Sequence, residues 1–181
     1  DNVDAAGSQL ASALNRWWKE RLDKEYGIDC YLEIEFETHF SRFFMPTIRG
    51  SEKGSKKRYA GMIDETAGPK LVFKGLESVR SDWTQLAKEF QKELYRLVFM
   101  EEDYVPYLKM TVDQVLQGER DEQLVLRRRL RRQLSDYVKN VPPHVRAARR
   151  ADEQRVSRGL KPIYDNGGWI EYVMTVNGPE P

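Results

Sequence analysis

Hydrophobic periodicity changes within the first forty residues, so the chain is not built from one kind of element. Behind Asp4, read as an N-cap, the residues Leu10, Ala13, Leu14, Trp17, Trp18 and Leu22 recur at helical spacing as far as Tyr26-Gly27. From Tyr31 to Phe40 the period becomes two: Leu32, Ile34 and Phe36 share one face, and Glu33, Glu35 and Glu37 the other. That alternation predicts a half-buried strand with its acids on one side. Phe43-Phe44-Met45-Pro46 prolongs the extended segment, and the turn-rich stretch Arg49-Gly50-Ser51-Glu52-Lys53-Gly54 precedes a strand expected over Lys57–Ile63. Asp64–Pro69 then closes a hairpin with Leu71–Phe73.

The second half reads as mainly helical. Asp82-Trp83-Thr84-Gln85 has the form of a capping box, and Trp83, Leu86, Phe90, Leu94, Leu97 and Val98 make an apolar stripe behind it. A second helix is expected from Asp103 to Gly118, with Leu108, Val112, Val115 and Leu116 inward and glycine at its end. Leu124–Leu134 alternates apolar and arginine residues as a strand does. Pro143–Gly159 carries proline at a helix start and glycine at its end, and Trp169–Val176 follows an Asn-Gly-Gly turn as a last strand. The fold class is therefore α+β: a helix with a small antiparallel sheet, then a mainly helical part with short strands.

At 181 residues and 40% hydrophobic content the chain supports one sizeable core or two small ones. Its formal net charge of +1 hides a segregation. Between Arg120 and Lys161 thirteen basic residues face five acids, a local +8 that leaves −7 for the remainder. Such asymmetry points to a polyanionic partner. The single Cys30 excludes an internal disulfide, and with only His39 and His144 to assist it makes no zinc site, which fits a reducing cytosol. No stretch approaches the roughly 18 apolar residues of a membrane span, and no basic-then-apolar leader opens the chain. A start on Asp1 and an end on Gly178-Pro179-Glu180-Pro181 read as cuts through a longer protein.

The run Gly54-Ser55-Lys56-Lys57-Arg58-Tyr59-Ala60-Gly61 packs three cations and a tyrosine between glycines. Taken alone it also fits a solvated edge strand, since lysines protect edges against aggregation. Downstream, however, lie Lys74-Gly75-Leu76-Glu77 with Arg80, and later Pro143-His144-Val145-Arg146-Ala147-Ala148. In order and spacing these resemble the K-K-R-Y, K-G-[IL]-E-x-x-R and P-H-V-x-x-A segments of family B DNA polymerases. The resemblance runs from Glu35-Phe36-Glu37-Thr38-His39-Phe40 to Thr175-Val176-Asn177-Gly178-Pro179, nearly the whole chain.

The resemblance implies that residues 1–80 are the C-terminal part of a palm subdomain and 81–181 most of a thumb. The D-T-D-S motif would lie just before Asp1, and neither the first aspartate motif nor the fingers motif K-x-x-x-N-S-x-Y-G is present. No catalytic residue or metal ligand is thus expected here, the Mg²⁺ and the deoxynucleoside triphosphates belonging to the intact enzyme. The implied partner is primer-template duplex DNA, the setting a bacterial cytoplasm at the nucleoid, and any sliding-clamp contact lies outside these residues. Lys56, Lys57 and Tyr59 would touch the minor groove or primer end, where purine N3 and pyrimidine O2 offer acceptors at every correct pair. Arg58 would bond to phosphate or to palm neighbours, with Lys74 and Arg80 in the same DNA-binding set.

Glu35 and Glu37 read equally as solvent-facing strand acids and as accessory carboxylates near the metals. The run containing Arg127 and Arg129 resembles any solvated face until Arg146, Arg149 and Arg150 are added, which share a helix face and can form a phosphate-binding stripe. His144 fits a phosphate or base-edge contact and equally a capping or core role, whereas His39 reads as structural and Cys30, after a turn, as inert. Trp17, Trp18, Trp83 and Trp169 fit core or interface anchors better than stacking platforms. A non-enzymatic nucleic-acid-binding module and an arginine-rich protein-docking domain are the competing readings.

Overall fold

The computed structural model describes residues 2–48 and 50–181; Arg49, in the expected turn, lies outside the described residues. Its elements are α1 (Val3–Tyr26), β1 (Arg42–Phe44), β2 (Tyr59–Glu65), β3 (Gly68–Lys74), α2 (Gln85–Phe99), α3 (Val105–Leu116), β4 (Leu126–Leu130), α4 (Pro143–Ser157), β5 (Gly168–Thr175) and β6 (Gly178–Glu180). Two small sheets, ordered β1-β2-β3 and β4-β5-β6, accompany the helices, and the fold is α+β. No described helix is long and apolar enough to cross a membrane. The chain forms two compact units, one of residues up to Phe44 with Gly61–Val72, the other of Met45–Ala60 with Phe73–Pro181.

In the first unit α1 starts one residue earlier than its expected cap. The Asn2 carboxamide accepts from Ala5 N at 3.2 Å, and Gly27, left-handed at φ 63°, ends the helix. The inward face is also displaced from the expected stripe: Gly7, Ala11, Asn15, Trp18 and Leu22 are covered, while Leu10, Leu14 and Trp17 remain exposed. The cause is close approach of the segment after the helix. A Cβ at Gly7 would strike the Phe36 ring, so only a small-residue face lets that segment lie against α1.

The strand expected over Tyr31–Phe40 does not form. Ile34 and Phe36 are half-buried and Glu33, Glu35 and Glu37 exposed, so the alternation of burial is present, but among the described residues no strand pairs with it. Its central peptide is instead held by one side chain: Asn15 accepts from Ile34 N and donates to Ile34 O, both at 2.8 Å. The carboxamide thus supplies what a neighbouring strand would. Replacing Asn15 by leucine is expected to remove exchange protection at the Ile34 amide and to cost about 1–2 kcal/mol. Hydrogen exchange at that amide checks it, and unchanged protection would contradict the clamp.

In the second unit a bridge between Thr47 and Gly54 closes the loop before the cationic run. β2 begins only at Tyr59, so Lys56 and Lys57 lie in a turn rather than in the expected strand. The expected capping box is not used either: Thr84 is the N-cap of α2, accepting from Ala87 N at 3.2 Å, because the Asp82 carboxylate is bound elsewhere. Leu86, Phe90, Leu94 and Leu97 face inward as expected, whereas Trp83 and Val98 are exposed. α3 packs through the stacked pair Phe90–Tyr107, centroids 5.7 Å apart, and buries Thr111, leaving Leu108, Val112 and Leu116 exposed against expectation.

The core of this unit lies between α4 and the second sheet, where Leu130, Leu134, Val145, Ala147, Ala148, Ile170 and Tyr172 are buried together. Alanines on α4 let the helix sit close to the strands. β4 pairs antiparallel with β5, placing Arg127 opposite Glu171, Arg128 opposite Ile170 and Arg129 opposite Trp169. β6, absent from the expected elements, returns after the Thr175–Asn177 turn to pair with β5. The buried Asp152 accepts from Ile163 N and Tyr164 N at 2.8 and 3.0 Å, tying the loop after α4 to the helix.

Candidate nucleic-acid interface

Two clusters in the second unit gather most of the predicted residues. In the first, Lys56 and Lys57 stand exposed on their turn while Arg58 turns inward and pairs with Glu77. Glu77 is the better covered partner, its side chain 18% exposed against 42% for Arg58. The Gln91 carboxamide on α2 completes the arrangement, donating to Glu77 Oε2 at 2.8 Å and accepting from Ser78 N at 2.7 Å. Burial works against the Glu77 charge, but the hydrogen bonds from Gln91, from its own backbone and from Arg58 hold its carboxyl below the usual range. Gly75 fixes the other side of the turn: it is left-handed at φ 62°, and a Cβ there would collide with the Lys57 carbonyl. The two lysines are therefore presented by a backbone pinned at Arg58 and Gly75. Tyr59 opens β2 half-buried, and Lys74 closes β3 exposed.

The second cluster begins at Arg80, which meets Asp82 through Nε at 2.8 Å and Nη2 at 2.6 Å, while Arg128 Nη2 reaches the same carboxylate at 3.1 Å. The hydrogen bonds from Arg80 first, and the Arg128 charge against the opposing effect of burial, bring the Asp82 carboxyl down to about 2. Beside this clamp a cleft of about 250 Å³ is lined by Arg127, Arg128, Arg129, Arg131 and His144, together with Ser81, Tyr137 and Trp169. Arg127 lies over the Trp169 ring at 4.9 Å and Arg132 over Tyr137 at 5.2 Å. His144 is held below its ordinary value of 6.5 by burial and then by the charge of Arg128.

The three arginines of α4 do not act alike. Arg149 Nη2 donates to the Leu134 and Tyr137 carbonyls, both at 2.9 Å, and so braces the segment before the helix. Arg150 pairs with Glu180 at 3.2 Å, and Arg146 is exposed with no ion pair among the described residues. Glu35 and Glu37 belong to the first unit, both exposed. Among the described residues no three carboxylate, imidazole or thiol groups converge on a point that could hold an ion, so these two acids do not fit a metal centre by themselves.

Sequence reasoning missed Ser81, Arg128, Arg131, Tyr137 and Trp169 as partners in one cleft. The arginine run was the available signal; that Trp169 lies opposite Arg129 depends on strand register. What the two clusters offer chemically is a set of cationic donors, with one imidazole, His144, among them. Exposed ammonium groups on a fixed turn and guanidiniums in a cleft suit an extended acceptor-rich polyanion.

Comparison with known proteins gives this donor set its class. Residues 19–178 match the family model described as DNA polymerase family B, and the chain belongs to that family. At the level of particular proteins, it is 55% identical over 175 residues to DNA polymerase II of Escherichia coli (strain K12), which takes in 97% of this chain and 22% of the relative. DNA polymerases of Archaeoglobus fulgidus and Pyrococcus horikoshii are 30% and 34% identical over 147 and 134 residues, covering 79% and 72% of this chain and 16% and 10% of theirs. The chain thus spans about a fifth or less of the length of these relatives.

Proposed function

We propose that this chain is the part of a DNA-directed DNA polymerase that grips and positions primer-template duplex, residues 1 to about 80 being the end of the palm and the remainder most of the thumb. The observation that carries the reading is the joining of two family motifs into one body: Arg58 of Lys56-Lys57-Arg58-Tyr59 is paired with Glu77 of Lys74-Gly75-Leu76-Glu77, with Gly75 packed under Lys57. A grip that must serve every sequence equally is best built from donors to phosphate and to the acceptors common to all pairs in the minor groove. Lys56, Lys57, Tyr59 and Lys74 would approach the primer end, and Arg127, Arg129, Arg146 and Arg150 the duplex backbone. Arg80, Arg149 and Arg58 would act mainly by holding those groups in place.

In this reading Glu35 and Glu37 are accessory carboxylates. Catalytic aspartates, Mg²⁺ and nucleotide are supplied within the intact protein, where the ion lends its charge to nucleotidyl transfer. The test is the affinity of the folded chain for a recessed duplex across a salt series. Lys57→Ala is expected to weaken binding alike on all sequences and to reduce the slope of log affinity against log salt by about 0.9. An effect confined to one sequence context, or no binding at low salt in a folded sample, would overturn the proposal.

A further inference from the structure

The cleft beside β4 differs from the lysine turn in being concave and walled. At about 250 Å³ it has room for one phosphate group and several waters, each water occupying about 30 Å³. No carboxylate lines it. Two acids paired with its neighbouring or lining arginines are already engaged, Asp82 with Arg80 and Arg128, and Glu171 at 3.7 Å from Arg127. Arg129 and Arg131 have no carboxylate partner among the described residues. The aromatic faces of Trp169 and Tyr137 carry guanidiniums, so the cleft offers an oxyanion site rather than a platform for a base.

Tyr137 makes the wall rigid. Its hydroxyl accepts from Arg131 N at 3.2 Å, its carbonyl accepts from Arg149, and the His144 ring meets it edge-on with centroids 6.5 Å apart. The Arg131 backbone and the Tyr137 wall are thus fixed before a ligand arrives, and the ordering cost of binding falls on the Arg129 and Arg131 side chains. Of the lining residues, Arg128 has its Nε buried without a partner while its Nη2 is bonded to Asp82.

We propose that this cleft is a discrete phosphate pocket in which Arg129 and Arg131, with Arg128 in the same lining, take the oxyanion, and that filling it draws a proton onto His144. The proposal rests on the nucleic-acid reading above for one source of the phosphate, a backbone phosphodiester; free phosphate or diphosphate shares the same chemistry. His144 meets the Tyr137 ring and the charge of Arg128, which carries the Asp82 carboxylate on its Nη2, and it shares the cleft lining with Arg127, Arg129, Arg131, Ser81 and Trp169. The lining groups are cationic or neutral near pH 7, and the one carboxylate close by, Asp82, is already engaged by Arg80 and Arg128, so an entering anion adds negative charge on the cleft side of the imidazole. The pKa of His144 therefore rises in the complex. The added affinity is fully present below the free pKa and is lost as pH rises through that of the complex.

With only two histidines in the chain, ring resonances distinguish His144 from His39, which serves as an internal reference. The probes are inorganic phosphate, diphosphate and a recessed duplex, each titrated between about pH 5.5 and about pH 8. We expect the His144 pKa to rise with ligand and affinity to increase about tenfold for each unit of that rise. His144→Gln should abolish the pH dependence and keep the salt slope. Arg129→Gln with Arg131→Gln should abolish the His144 response and lower the slope by about 0.9 per phosphate lost, with circular dichroism verifying the fold. A response to phosphate alone supports the pocket with a free anion as ligand, and a response to duplex alone supports it with the backbone as source. A His144 pKa unmoved by all three probes, while Lys57→Ala still weakens duplex binding, overturns the pocket and leaves the polymerase reading standing. Absence of duplex binding in every variant, with His144 silent, overturns both.

Discussion

Replacing Glu77 by alanine is expected to lower the melting temperature by about 5–10 °C and to weaken duplex binding as much as Lys57→Ala does. Glu77 receives Arg58 on one oxygen and Gln91 on the other, so its removal strands two donors in a half-buried place. Breaking a fully buried pair costs about 3–5 kcal/mol. Arg58 is 42% exposed, so water recovers part of that loss and about 2–3 kcal/mol is the expectation. The sign of the binding change separates two accounts. If Glu77 merely repelled phosphate, its loss would tighten duplex binding; if it anchors the turn that presents Lys56 and Lys57, its loss weakens it. Glu77→Gln should fall between, keeping one acceptor. Because the folded pKa of Glu77 is depressed, its contribution is present above the ordinary glutamate value and disappears as pH falls through the folded value, so acid should release this anchor.

How far the sequence could be read follows from the range of each interaction. α1, α2, α3, α4 and the β2–β3 hairpin declared themselves through short-range periodicity, glycine ends and turn residues, all set within a few positions of the chain. Tyr31–Phe40 shows the opposite case: alternation records which side chains are covered, and Ile34 and Phe36 are covered, but pairing depends on a partner strand, and Asn15 from nineteen residues earlier took that place. Asp82 matched a capping box by pattern. It is held by Arg80, two residues away, and shared with Arg128, 46 residues away; only the second attraction lies beyond the reach of local pattern. The cationic run was legible as a binding signal, whereas its turn conformation came from Gly75 closing on the Lys57 carbonyl. Likewise the arginines after residue 126 could be counted, but that Tyr137 would hold Arg131, and that Arg149 would brace that segment instead of standing free on α4, required the packed sheet and helix.

Asp82→Asn is expected to lower the melting temperature by about 3–6 °C, since one acidic group serves two guanidiniums and the amide that replaces it has one acceptor and no charge. The Asp82 side chain is 16% exposed and its partners Arg80 and Arg128 are 47% and 40% exposed, so solvent moderates the loss to about 1–2 kcal/mol. The carboxyl at about 2 lies below the ordinary aspartate value, and the sign follows: its stabilisation is complete above about pH 4 and is lost as pH falls toward about 2. An acid titration of stability should therefore lose that limb in the variant and keep it in the parent chain. A double-mutant cycle with Arg128→Gln tests whether the two groups act as a pair across the chain. If Asp82 positions Arg128 in the lining of the cleft, the double variant should be little worse than the single ones, and Asp82→Asn should reduce the His144 response to phosphate without touching the lysine turn. Strictly additive losses, with an unchanged His144 response, would mean that Asp82 only neutralises Arg80 and that the cleft keeps its shape by packing alone.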